Sequence, residues 1–126
     1  MLEHLHLLVQ GTATKLLSEL DIKNFIIDLI QKIDMDILGG PHIYRSDLEG
    51  NEGYTAITAI TTSHVVIHTW DTGLVQLDVY SCKKFDILDI AEMLKTLSIT
   101  DIKIKFLDRS NGFRDIDCNT TNNLNT

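Results

Sequence analysis

Two periods of hydrophobic and polar alternation run along this chain, and the switches between them divide it into elements. Near the start, Leu5, Leu7 and Val9 alternate with His4, His6, Leu8 and Gln10, the period-2 pattern of a strand. Gly11-Thr12 follows as a turn signal. Ile22, Phe25, Ile26, Leu29, Ile30 and Ile33 then recur at helical spacing, with Asp21 placed to cap and Leu16, Leu17 and Leu20 as a short lead-in. Gly39-Gly40-Pro41 stops that helix, and His42-Ile43-Tyr44-Arg45 begins a new run. Residues 46–53 are polar, carry two glycines and read as a loop.

The stretch 54–70 is nearly continuous in β-branched residues, too long for one ordinary strand, and is expected to break near Thr62-Ser63. Asp71-Thr72-Gly73 reads as a hairpin turn, and 74–81 as the next strand, with Val75, Leu77 and Val79 on one face. Asp86 is placed to cap a second helix through Ile87, Ile90, Ala91, Leu94 and Leu97. Ile102, Ile104 and Phe106 alternate with Asp101, Lys103 and Lys105 as a final strand, and 109–126 reads as a polar tail that frays. The order predicts an α/β protein, a two-layer sandwich with two helices on one face of a mainly antiparallel sheet. The apolar content of 54–81 makes a fully solvated second face improbable, so a dimer or a buried site is expected there.

Composition narrows the classes. The chain has 126 residues, enough for one core, and a net charge of −7 from 18 acidic and 11 basic side chains. That balance argues against unaided nucleic-acid binding. No apolar run approaches a membrane span and no signal peptide is evident, so a cytoplasmic setting with no membrane partner is expected. Cys82 and Cys118 lie in different company, one ending an apolar run and one in the tail, so no disulfide is expected.

The candidate chemistry concentrates in Thr61-Thr62-Ser63-His64, then His68, then Cys82. A serine and a histidine suggest a hydrolase, but no Gly-x-Ser-x-Gly elbow surrounds Ser63, and alternation puts Ser63 and His68 on opposite faces. A different chemistry suits these groups better. A serine in a strained turn attacks the preceding carbonyl, the resulting ester eliminates, and hydrolysis leaves an N-terminal pyruvoyl group. His68 is placed to serve as the base. The ketone then forms a Schiff base with a substrate amine, and a thiol such as Cys82 returns a proton after decarboxylation. Metal chemistry is not expected: His4 and His6 share a strand face, but no carboxylate or cysteine near them, or near His42 and His64, completes a ligand set. Trp70, Phe25 and Phe106 read as core.

Ser63-His64-x-x-Ile67-His68-Thr69-Trp70, followed by Leu77-Asp78-Val79-Tyr80-Ser81-Cys82, resembles the short prokaryotic S-adenosylmethionine decarboxylase proenzymes. Those are pyruvoyl enzymes that cut themselves before the serine of a Glu-Ser-His-x-x-Ile-His-Thr-Trp motif. The likeness extends loosely over most of 1–108. It implies a single decarboxylase-like domain there, cut between 62 and 63, with Ser63 as pyruvoyl precursor, His68 assisting processing and Cys82 as proton donor. Thr55 stands where the family has a processing serine, and Thr62 stands at the scissile position, where the family has glutamate. Asp71 stands near the family's ribose-binding glutamate, and Tyr44 is available to stack on adenine. The implied substrate is S-adenosylmethionine, the implied product an aminopropyl donor for spermidine, and the implied assembly a homodimer of processed protomers. Two alternatives stay open: the same fold with arginine or ornithine as substrate, and a non-processing homologue acting as a binding or partner subunit.

Overall fold

The computed structural model describes residues 3–110 and 112–116. The elements run β1 (Leu5–Ala13), α1 (Glu19–Lys32), β2 (Ile37–Ser46), β3 (Gly53–Ile60), β4 (Ser63–Trp70), β5 (Leu74–Ser81), α2 (Ile87–Thr96), β6 (Ile99–Asp108) and β7 (Arg114–Asp115). All strands join one sheet in the order β2-β3-β4-β5-β1-β6-β7, and each neighbouring pair is antiparallel. The helices lie side by side, linked by a Lys32–Glu92 ion pair at 3.2 Å, and cover one face. The predicted two-layer sandwich is the observed architecture.

Alternation along the strands decides what each face carries. Leu5, Leu7 and Val9 from β1, Val65 and Ile67 from β4, and Val75, Leu77 and Val79 from β5 are buried beneath the helices. They meet Ile22, Phe25, Ile26, Leu29 and Ile30 of α1 and Ile90, Ala91 and Leu94 of α2 in one apolar cluster. The intervening residues, among them His6, Leu8 and Gln10 on β1 and His64, Val66 and His68 on β4, lie on the second face, which no helix among the described residues covers. This open face retains apolar groups: Leu8 is 38% and Ile57 45% exposed.

Several local expectations change. Gly11-Thr12 is not a turn; β1 continues to Ala13, and Gly11 sits at a register shift, where a Cβ would lie 2.4 Å from Ile99 Cγ2. Glycine marks close approach of β6 there. Ser18, not Asp21, is the N-cap of α1: its hydroxyl accepts from Asp21 N–H, and the Asp21 carboxylate accepts from Ser18 N–H. Those reciprocal bonds hold the Asp21 carboxyl below the usual carboxylate range. Gly39-Gly40-Pro41 lies inside β2 instead of before it, tolerated because β2 is an edge strand and its register shifts at those residues. Arg114–Asp115 in the predicted tail pairs with Leu107 and Asp108. Trp70 is not core; it is half-buried on the open face, its indole N–H donating to Asn51 at 2.8 Å. Cys118 lies outside the described residues.

Candidate active site

The β-rich stretch breaks where expected. Ile60 pairs with Ser63, so Thr61 and Thr62 form a two-residue hairpin connection. Favoured connections of that length place their central residues at positive φ, which β-branched residues resist. The positive φ falls instead on Ser63, at 145°. L-residues avoid that region, and strain of this kind costs about 1–3 kcal/mol.

The carbonyl that precedes the strained residue is held. Cys82 N–H donates to the Thr62 carbonyl oxygen at 3.0 Å, and the Cys82 carbonyl accepts from Glu3 N–H at 3.2 Å, fixing Cys82 between the turn and the chain start. The Thr62 hydroxyl accepts from Ser81 Oγ at 2.8 Å and donates to Met35 Sδ at 3.5 Å. Ser81 is fully buried, which anchors the turn to the core. Among the described residues, the Ser63 hydroxyl has no hydrogen-bond partner. Cys82 is a free, half-buried thiol. The Thr62–Ser63 turn and Cys82 are therefore neighbours, joined through the backbone bond from Cys82 N–H to the Thr62 carbonyl.

His68 does not join them within one chain. β4 runs without interruption from Ser63 to Trp70, so five strand steps separate the two residues by about 16 Å. His68 instead shares a 3.0 Å hydrogen bond with Thr55 across the β3–β4 ladder. Tyr44, 61% exposed, pairs with Thr55 on the outer side, and Trp70 stacks beside His68 at 5.9 Å between ring centroids. From His68 a groove of about 450 Å³ crosses the open face past Gln76, Gln10, Asp78, Lys103 and Lys105, within the size range of small-molecule sites.

At the far end of β4, Asp71 is engaged rather than free. Arg45 grips it with two bonds, at 2.8 and 2.6 Å, and also contacts Asp47 and the Tyr54 ring. The Arg45 fork holds the Asp71 carboxyl below the usual range, and the two carboxylates push the Arg45 guanidinium further above its own. Sequence reasoning missed Arg45 and Ser81. The alternation of Ser81 with Val75, Leu77 and Val79 was the available signal for its burial; nothing local announced Arg45.

The sequence profile of S-adenosylmethionine decarboxylase matches residues 4–110. That span is most of the chain, and the chain belongs to this family: it is an S-adenosylmethionine decarboxylase-like protein. A direct comparison with curated proteins finds no match.

Proposed function

We propose that this chain is a pyruvoyl-dependent S-adenosylmethionine decarboxylase, matured at Ser63 and supplying the aminopropyl donor for spermidine synthesis. The observation that carries the reading is the backbone at the turn: a serine at φ 145° directly follows a carbonyl polarised by Cys82 N–H. Attack by Ser63 Oγ on the Thr62 carbonyl carbon moves negative charge onto the oxygen that this N–H already contacts. The hydroxyl proton leaves to a base and returns to the Ser63 nitrogen as the C–N bond breaks, giving an ester and releasing the backbone strain. Loss of the Ser63 α-proton then expels the Thr62 carboxylate from the β-carbon. Water replaces the nitrogen as ammonia, leaving a pyruvoyl group on the new N-terminus.

The parts present fit that group. A pyruvoyl group formed from Ser63 would supply the electron sink for an amine substrate, and the chain around the Thr62–Ser63 turn would hold it. The thiol of Cys82, whose backbone is tethered beside the turn, would return the proton in this reading. The Thr62 side chain, bonded to Ser81 and Met35, keeps the scissile carbonyl in place where the resembled family has glutamate.

The separation of about 16 Å along β4 asks for a second copy. Two open faces stacked about a two-fold axis crossing β4 near its middle would bring the Thr55–His68 pair of one protomer over the Thr62–Ser63 turn of the other, where the chain passes from β3 to β4. Leu8, Ile57 and Val66, which share one cross-strand row with Asp78, supply apolar surface for that contact. The reading is therefore a homodimer in the cytoplasm, with S-adenosylmethionine entering between the sheets. Tyr44 would stack on the adenine. Asp71 would face the ribose only with Arg45 turned aside, and that ion pair favours a second reading with an amine substrate lacking a ribose, such as arginine or ornithine.

Intact mass of the untagged chain under denaturing conditions tests maturation. The expected result is two species, residues 1–62 and a pyruvoyl-blocked 63–126. A single uncut species of 14.2 kDa that persists on incubation overturns it and leaves a non-processing binding subunit. Release of CO2 from carboxyl-labelled S-adenosylmethionine, against labelled arginine and ornithine, then decides the substrate.

A further inference from the structure

We propose that His6, His64 and Asp78 form a binding site for a divalent first-row transition metal on the open face. The three come from adjacent strands, β1, β4 and β5, and lie far apart in sequence. His64 and His6 both pair with Tyr80, one from each side, and Asp78 lies two residues before Tyr80 on the same face of the central strand. His6 Nε2 is 2.6 Å and His64 Nε2 3.3 Å from the same Asp78 oxygen, and the three donor atoms lie within 4.8 Å of one another. Tetrahedral ligands at ordinary zinc distances stand about 3.3–3.5 Å apart, so rotamer adjustments that close the widest separation by up to about 1.5 Å complete the set. In the single chain the side chains are 16%, 38% and 34% exposed, which leaves room beside them for a fourth ligand such as water or a group from the facing sheet of the proposed dimer.

The donor chemistry selects the ion. Two imidazoles and one carboxylate suit zinc, cobalt, nickel or copper, whereas magnesium and calcium favour all-oxygen shells. Tyr80 is not a ligand; its hydroxyl faces His4 Nδ1 at 3.3 Å. Without metal, Asp78 serves both imidazoles. Arg109, stacked 4.0 Å over Tyr80, approaches His6 Nδ1 at 3.4 Å, which assigns the proton to His6 Nε2. Metal capture moves that proton to Nδ1, gives up the Arg109 contact, and replaces the two imidazole–Asp78 hydrogen bonds by coordination. None of the three ligands takes a step in the maturation described above.

The test is equilibrium dialysis of the chelator-stripped full chain against Zn²⁺, with bound metal counted by elemental analysis, and visible spectroscopy of the Co²⁺ form. One ion per chain is expected, with Co²⁺ bands of a four- or five-coordinate nitrogen–oxygen site. His64→Ala and Asp78→Asn should each weaken binding by about tenfold or more, and His42→Ala on the edge strand should not. Folding of each variant is checked by circular dichroism, and the wild-type cobalt spectrum stands whether or not a variant folds. Absence of bound zinc, a six-coordinate aquo-like cobalt spectrum, or undiminished binding in both ligand variants would overturn the site. The same measurements on Ser63→Ala protein read the metal without any maturation, so failure here and failure of the decarboxylase reading are separable.

Discussion

At its first residue β4 is strained in the backbone, and the groups around it are held mainly by main-chain bonds: Cys82 N–H on the Thr62 carbonyl, Glu3 N–H on the Cys82 carbonyl. At its other end the strand is relaxed, and the order comes from side chains: Thr55 on His68, Asn51 on Trp70, Arg45 on Asp71. The contrast separates two tasks. The proposed bond-breaking at Ser63 would need a carbonyl and a strained peptide held where charge develops, which backbone groups do without rotamer freedom. Recognition and proton handling need groups that face outward across the open sheet, which side chains supply. One straight strand of about 16 Å keeps the two sets apart, and under the proposed dimer they would be two complementary halves of a site.

The largest effect expected from this contrast is all-or-none. Ser63→Ala should abolish cleavage, His68→Ala should abolish or severely slow it, and mixing the two unfolded and refolded together should restore cleavage of the His68→Ala chain. Recovery would come from dimers that join an intact Ser63 to an intact His68. Mass spectrometry of the mixture reads this directly, and no cleaved His68→Ala chain would mean the pair acts within one protomer or His68 acts otherwise.

A smaller effect isolates the strain. Ser63→Gly should raise folding stability over Ser63→Ala by about 1–3 kcal/mol, because glycine accepts φ 145° and alanine does not. Chemical denaturation of the two uncleavable variants measures it, and equal midpoints would remove the strain argument. The smallest effect sits at the far end. Arg45→Ala should let the Asp71 carboxyl return toward 3.8, from its lowered value beside the guanidinium. A lowered carboxylate stabilises the fold above its unfolded value and loses that contribution as pH falls through the folded one. The wild type should therefore lose this small contribution on acidification and the variant should not. Titration of Asp71 by NMR checks the direction; an unmoved midpoint would mean Arg45 is not its partner in solution.

The sequence was most legible where one side-chain period persisted. Leu5 to Val9, Ile22 to Ile30 and Val75 to Val79 each declared an element and its buried face, and Asp86 declared its cap. It was least legible where a residue's meaning depended on a distant strand. Gly11 reads as a turn until β6 comes against it, and Gly39-Gly40-Pro41 reads as a stop until β2 takes the edge of the sheet. At the site, the bond of Cys82 N–H to the carbonyl before Ser63 follows from two neighbouring strands. The distance of His68 from Ser63 in the same chain depends on β4 running unbroken between them, which the residues 63–70 alone did not announce. Neighbours in sequence also hid Asp78 from His6, which lie 72 positions apart.

The strand order has a topological consequence for any break in the Thr61–Thr62 connection. Residues before the break supply β1, β2 and β3, while those after it supply β4, β5 and β6. In the sheet these alternate in blocks, β2-β3, then β4-β5, then β1, then β6. The two pieces are thus threaded through one another like the tongues of a joint, meeting at three separate seams. A nicked molecule would travel as one body through any native separation, and only denaturation would reveal that it is two.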